Sequence, residues 1–290
     1  MLDVALLPDR ALESATDVPG RVQFRQGGSA ASTARWLARL GMSCSLVCAV
    51  GRDAPGRALV DALRSDGVRV LARRVAAART GRIGVVVEPG GERSFVADRG
   101  AADELRPEDL QPGTFAVDLI HLPLYSLLGE PLGLAGRRAV ELTRASGGLV
   151  SLDLASVGPM LTKGRQAAVD LIRDIDPDVL FATAAEAAAL PESSGSALLG
   201  PDGIVVIKQG RHGGSVMRAR DGLRFDVLAS PLAAVDTTGA GDAFDAGFLA
   251  AFLAEPAETR RRPAALRRAV VAANRAAARQ LAARPRELQL

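Results

Sequence analysis

Histidine, cysteine, lysine and aromatic residues are all scarce in this chain of 290 residues. Two histidines, His121 and His212, are too few for a histidine-based metal centre and read as ordinary structural or surface residues. The two cysteines, Cys44 and Cys48, fall in Ser-Cys-Ser-Leu-Val-Cys-Ala-Val, which reads as a buried strand. Four residues apart on a strand they stand roughly 13 Å from each other, too far for a disulfide, so reduced thiols are expected. Aromatics make up 3% of the chain, so the core must be built largely from Ala, Leu and Val, and no platform for stacking nucleic-acid bases is in view. Lysine occurs only as Lys163, after Thr162, and Lys208, after Ile207, so the Gly-Lys-Ser/Thr of a P-loop is absent. No His-Arg-Asp or Asp-Phe-Gly string supports a protein kinase. There is no basic segment followed by a long apolar run at the start, and the longest apolar stretch, Ala246 to Ala254, is too short to span a bilayer. These absences lead us to expect a cytoplasmic protein with neither membrane nor nucleic-acid partner.

What remains is ordinary globular composition: 48% hydrophobic and 24% charged residues with a formal net charge of +3. One domain over 1–290 is expected. The densest basic stretch, Arg260 to Arg262 with Arg267 and Arg268, reads as a solvated helix face.

Hydrophobic periodicity predicts helix at Ala30 to Leu40, strand at Cys44 to Val50, helix at Gly56 to Arg64 and a short strand at Val68 to Leu71. Arg82 to Glu88 and Arg93 to Ala97, around Pro89-Gly90-Gly91, form a predicted hairpin that interrupts this alternation. The alternation then resumes through strands near 117–122, 149–154, 179–181 and 204–208 and helices near 134–144, 165–173 and 184–190. Strands follow near 214–217 and 223–227, and helices start after Gly239 and at about Ala264. The pattern predicts an α/β fold, a mainly parallel central sheet covered on both faces, with ligands at the carboxyl ends of its strands. The hairpin is expected either to fold over the mouth of the site as a lid, excluding water, or to decorate an edge.

The most informative stretch is Asp236-Thr-Thr-Gly-Ala-Gly-Asp-Ala-Phe244, a small-residue turn opening onto an apolar helix. The first N–H groups of a helix lack intrahelical partners and the peptide dipoles align behind them, so such a turn accommodates phosphate without lysine. Asp242 would repel that phosphate unless it accepts the proton of a hydroxyl attacking it, and the pairing points to phosphoryl transfer. The third glycine of a dinucleotide fingerprint is missing, because Gly239-Ala-Gly241 runs into Asp242-Ala243-Phe244.

This nine-residue string resembles the C-terminal signature of the ribokinase-like (PfkB) family of carbohydrate kinases. The likeness covers nearly the whole chain. Gly27-Gly28-Ser-Ala-Ala-Ser-Thr-Ala followed by Trp-Leu-Ala-Arg-Leu-Gly is similar to the N-terminal signature, Gly51-Arg-Asp-Ala-Pro-Gly56 to the following loop, and Asp98-Arg-Gly-Ala-Ala102 to the exit from the lid. The resemblance implies a three-layer α/β/α sandwich with a small β lid drawn from about 4–26 and 80–100. It implies a sugar or sugar-derivative substrate held by Asp3, Gly27, Gly28, Ser32 and Asp242. Nucleotide contacts are implied at Thr183, Glu186, Lys208, Gly210, Thr238, Gly239, Gly241 and Asn274, with Asn274 near the adenine and Lys208-Gln-Gly210 as the nucleotide-side loop. Glu186 is implied to act on magnesium through water, with a monovalent cation such as K+ and a homodimer contact through the lid as further implications.

The chain departs from the family at three places. Ser32 stands where the N-terminal signature has Asn, which opens the identity of the sugar. Thr183 stands where the N-x-x-E motif has Asn, with Glu186 retained. Third, the family runs an apolar strand and a Gly-Asp turn before the position of Asp3. Either that strand lies outside the given sequence or the chain starts late, and backbone groups of the sheet would then lack partners. The expected reaction is ATP-dependent phosphorylation of a primary hydroxyl, with Asp242 as base and N–H groups of Gly239, Ala240 and Gly241 holding the transferred group. The alternatives are a nucleoside kinase of the same family, in which Phe24 and Phe95 would stack on a base, or a non-catalytic sugar- or nucleotide-binding member.

Overall fold

A computed structural model describes residues 1–88, 93–190, 198–230, 237–283 and 286–289. The turn predicted at Pro89-Gly90-Gly91 and residue Asp236 lie outside the described residues. In chain order the elements are β1 (Leu2–Pro8), β2 (Gly20–Gln26), α1 (Ser29–Arg39), β3 (Ser45–Gly51), α2 (Ala54–Ser65), β4 (Arg69–Val75), β5 (Arg82–Val87), β6 (Arg93–Asp98), β7 (Leu119–Pro123) and α3 (Leu132–Ala145). They continue as β8 (Leu149–Asp153), α4 (Val157–Met160), α5 (Arg165–Ile175), β9 (Val179–Thr183), α6 (Ala184–Ala189), β10 (Ile204–Lys208), β11 (Gly214–Arg218), β12 (Leu223–Val227), α7 (Ala240–Ala254) and α8 (Pro263–Ala282). The predicted elements all appear, with ends moved by a few residues. β4 is longer than predicted, because Arg73 and Arg74 continue the ladder to β3 through their backbone, opposite Ala49 and Val50.

A six-stranded sheet runs in the order β12-β11-β10-β9-β8-β7. β7 through β10 are parallel, and β11 and β12 are antiparallel additions at one edge. Successive strand residues face opposite sides, and both sides are apolar here, as a sheet covered by helices requires. Leu180, Ala182, Val205 and Ile207 pack with Val169 and Ile172 of α5. Val179, Phe181, Ile204 and Val206 pack with Phe248, Leu249 and Phe252 of α7 and Leu266 and Val270 of α8. Three layers result. No helix among the described residues is long and apolar enough to cross a membrane.

β3 and β4 form a separate parallel pair, and α1 packs against both β3 and β7. Among the described residues no strand lies between β3 and β7. β1 enters the lid instead, antiparallel to β2 and parallel to β5, with β6 closing the order β2-β1-β5-β6. The Met1 amine donates to the Gly27 carbonyl at 3.2 Å. The pleat gives this small sheet two faces. Asp3, Ile83, Phe95 and Ala97 line the cavity below, and Val4, Leu6, Val22, Phe24, Val86 and Val96 lie on the other face by register.

Helix α7 is apolar all round because α8, α1 and the sheet enclose it. Gly247 is where its backbone comes nearest to α8: a Cβ there would lie 2.8 Å from the Ala272 carbonyl oxygen and 2.9 Å from Ala273 Cα. Since those atoms are backbone, the helices would have to separate. Gly247→Ala is expected to cost about 1 to 3 kcal/mol in urea unfolding; unchanged stability would show that the helices can part freely.

Candidate active site

Asp153, Thr183 and Lys208 end β8, β9 and β10, so topology alone gathers them at one edge of the sheet. Above that edge is a cavity of about 1360 Å³. Its walls include Asp3, Gly27, Gly28 and Ser32 on one side, Thr183, Glu186 and Lys208 on another, and Thr238, Gly239, Gly241 and Asp242 at the start of α7. The structure thus brings most of the predicted site residues to one space.

Three predicted residues fall outside the cavity lining: Asn274, Gly210 and Ala240. Asn274 donates its side-chain amide toward the carbonyls of Val227 and Leu228, at 3.3 and 3.4 Å, and does not line the cavity. Gly210 opens a short 3-10 turn at positive φ (58°), also outside the cavity lining. Lys208 departs from its expected place in a nucleotide-side loop, because two buried carboxylates draw its side chain inward. Its Nζ lies 2.8 Å from Asp153 Oδ1 and 3.2 Å from Asp245 Oδ2. Phe24 falls on the lid face away from the cavity, whereas Phe95 lines it.

The turn before α7 has the local geometry its sequence suggests. Gly239 is the N-cap with φ 74°, a left-handed conformation in which a side chain would be strained. The first helical hydrogen bond runs from Ala243 N to Gly239 O at 3.0 Å, so the N–H groups of Gly241 and Asp242 precede it. Ala240 differs from expectation: its N–H turns to the Thr237 carbonyl at 3.3 Å. Gln280 fastens the turn from α8. It donates to the Thr238 carbonyl at 2.9 Å and accepts from Trp36 Nε1 of α1 at 3.0 Å. From the lid, Arg93 reaches across to the hydroxyls of Thr237 and Thr238, the latter at 2.6 Å.

The opposite wall is built around Asp3. A Cβ on Gly27 would collide with the Asp3 carboxylate, so only glycine fits where the two strands bring the acid in. Gly28 caps α1 at φ 93°, which turns the chain into that helix, and Ser32 N donates to its carbonyl at 3.0 Å. Asp3 Oδ1 and Gln26 Nε2 are buried with no hydrogen-bond partner, and both residues line the cavity. Buried polar atoms are normally satisfied, so an unpaired acceptor and an unpaired donor on two residues of the cavity wall leave room for a hydroxylated ligand to complete them.

Burial is the main cause of the site's altered acidities. It pushes Asp3 up to about 6, against the pull of the nearby amine and Arg25. It also pushes Asp242 up to about 6; the Ser29 hydroxyl and Lys208 pull it down, and Asp153 and Asp3 push it further up. Glu186 is raised by burial, although it accepts from Thr183 N at 2.7 Å. Thr183 Oγ1 accepts from Glu186 N at 3.2 Å in return, a reciprocal cap on α6. Threonine therefore keeps the capping function at a position where the resemblance leads one to expect asparagine.

Gln26, Ser29, Arg93, Asp153, Asp245 and Gln280 escaped the sequence reading. Asp245 alone left a signal, an acid three residues after Asp242 inside an otherwise apolar helix.

The chain matches the model of the pfkB family carbohydrate kinases over residues 1–285. It is 33% identical to a fructokinase of Klebsiella pneumoniae, with 86% of this chain and 84% of that protein covered. It is 32% identical to an ATP-dependent ribose-1-phosphate kinase of Halopiger xanaduensis, covering 87% and 82%. A crystal structure of fructokinase from Vibrio cholerae O395, in fructose-, ADP- and calcium-bound form, superposes with a TM-score of 0.75 at 22% identity, covering 97% of this chain and 90% of that one.

Asp242 titrates near 6 when folded and near 3.9 in an unfolded chain. The folded state therefore holds more protons between those values, and stability falls as pH rises from about 4 to about 6. Asp242→Asn should gain on the wild type by about 1 to 2 kcal/mol more at pH 7.5 than at pH 4.5 in urea unfolding. An equal difference at both pH values would mean the carboxylate is well solvated.

Proposed function

The chain belongs to the pfkB family of carbohydrate kinases, and we propose that it transfers the γ-phosphoryl group of ATP to a primary hydroxyl of a sugar or sugar derivative, with Asp242 as general base. The observation that carries this reading is the position of Asp242. It stands at the cavity floor, between the first N–H groups of α7 and the wall formed by Asp3, Gln26, Ser29 and Ser32.

In this reading the sugar donates hydroxyl protons to Asp3 and accepts from the Gln26 amide, which satisfies both buried atoms. The reacting hydroxyl lies against the Asp242 carboxylate, which takes its proton. Its oxygen forms a bond to the γ-phosphorus as the bond from that phosphorus to the β,γ-bridging oxygen breaks, and that oxygen leaves with ADP. The N–H groups of Gly241 and Asp242 face the transferred oxygens, and Gly239 supplies the turn that aims them. Ala240 serves the turn rather than the anion. Arg93 ties the lid to Thr237 and Thr238, so closing the lid and ordering the anion turn become one event. Magnesium bound with ATP screens the phosphate charge. Among the described residues no group of three or more His, Cys, Asp or Glu is arranged to hold a metal ion, and in this reading Glu186, one of the carboxylates lining the cavity, would act on the magnesium through water. That donor set suits an ion held mostly by phosphate oxygens.

Aromatic side chains in the cavity are limited to Phe95 and Tyr125 among the described residues, which favours a sugar over a nucleoside. The outer lid face, with Val22 61% and Val96 76% exposed, is apolar enough to meet a second copy of the chain.

ADP release should be measured against sugars, sugar phosphates and nucleosides, with Mg2+ and with or without K+. Asp242→Asn is expected to lose at least about 10² in kcat with little change in ATP affinity. The wild-type kcat/KM should fall as pH drops through about 6, where the base takes up its proton. A variant of near-normal rate would remove the assignment. Val96→Lys should shift a dimer toward monomer in sedimentation velocity; a protein monomeric before substitution would dismiss the lid contact.

A further inference from the structure

Lys208 is one of two lysines in the chain, and it is clamped deep at the cavity floor. Its side chain is 10% exposed, and those of its partners Asp153 and Asp245 are 4% and 0%. A cluster serving packing alone would be sealed from the cavity, yet Lys208 and Asp153 both line it. The ammonium also stands 3.6 Å from the point that a Cβ on Gly241 would occupy, directly behind the turn that opens α7.

The three ionisable groups divide their charge unequally. Burial works against the charge on Lys208, but the Asp153 carboxylate outweighs it and holds the ammonium protonated. Burial likewise opposes ionisation of Asp153, and Lys208 outweighs it, so Asp153 is the anion of the pair. Asp245 is pushed well up by burial and by Asp153 and keeps its proton. The cluster is therefore a lysine–aspartate ion pair with a neutral acid as third partner, the cation placed toward the anion turn.

Phosphoryl transfer gathers negative charge in this small space, from the phosphoryl oxygens and from Asp242 itself. Preorganised positive charge at that point lowers the barrier without reorganisation. We propose that Lys208 is a positioning residue for phosphoryl transfer: clamped by Asp153 and Asp245, its ammonium is the fixed cation behind the Gly239–Gly241 turn that offsets the charge shared by Asp242 and the transferred group. This rests on the reading of Asp242 as general base. Asp242 is faced by Asp3 from β1, Ser29 from α1, Asp153 from β8 and Lys208 from β10. Around the ion pair stand His121 from β7, Tyr125 before α3, Glu186 from α6 and Asp245 from α7.

The test is the pH profile of kcat and kcat/KM for a set of variants, with Asp242→Asn run beside them. Lys208→Met should lower kcat at least tenfold and move the acid limb of kcat/KM upward, because Asp242 loses the cation that favours its charged form. Asp153→Asn should move that limb downward. Asp245→Asn, replacing an acid that already holds its proton, should leave the limb in place. Lys208→Met alone leaves Asp153 as an unpaired buried anion that can impair folding, so Lys208→Met/Asp153→Asn is measured too. The double variant should return the limb toward the wild-type position while kcat stays at least tenfold down. Recovery of wild-type kcat in the double variant would overturn the proposal, as would an unmoved limb in folded Lys208→Met. If Asp242→Asn is itself near normal, the base assignment fails and the pH limb belongs to another group. If Asp242→Asn is inactive while Lys208→Met is normal, the inference fails alone.

Discussion

The charge balance at the start of α7 is the constraint on which the rest depends. Four ionisable side chains, Asp153, Lys208, Asp242 and Asp245, meet there with a single positive charge among them. Their burial limits screening by solvent, so position decides which is ionised. Asp153 is held as an anion by direct contact with Lys208, Asp245 is kept neutral, and Asp242 is left at an acidity between the two. That gradient follows from architecture. β8 and β10 deliver Asp153 and Lys208 at their carboxyl ends, and α7 turns both its acids toward them.

The surrounding structure fixes this arrangement against its own cost. α7 lies in an apolar sleeve of Phe181, Leu266 and Val270, and Gly247 allows α8 to approach closely enough to complete it. Gln280 then extends from α8 to hold the turn at Thr238 on one side and Trp36 of α1 on the other. Since Gly28, which caps α1, lines the same cavity, one side chain couples two of its walls. Burial makes Asp3 and Asp242 both weaker acids than usual, and Asp3 has an unpaired oxygen as well. Groups of this kind weaken the free protein and are tolerated where a ligand completes them.

Much of this was legible in the sequence where neighbours in space are neighbours in the chain. The turn at Thr237–Asp242, the Gly27-Gly28 entry to α1 and the alternation of strands and helices are contiguous patterns, and the structure follows them. Asp153, Lys208 and Asp245 lie far apart in sequence; the parallel order of β8, β9 and β10 brings the first two together, and the packing of α7 on the sheet adds the third. Arg93 reaches Thr238 across 145 residues, a contact with no local signature. Lys208 and Asn274 show the opposite limit. Their motifs were visible, but the direction of each side chain was set by partners that the motif does not include: two buried acids for one, the carbonyls of Val227 and Leu228 for the other. The family likeness supplies the reaction class, and the structure adds Gln26 and Ser29 to the cavity wall that holds Asp3 and Ser32.

The most direct measurement is a crystal structure with the acceptor sugar, ADP, magnesium and a fluoroaluminate in place of the transferred group. The account predicts the acceptor oxygen about 2.6 to 3.2 Å from the Asp242 carboxylate, with the planar fluoroaluminate against the N–H groups of Gly241 and Asp242. An acceptor oxygen bound to another side chain, with Asp242 turned away from it, would contradict the account.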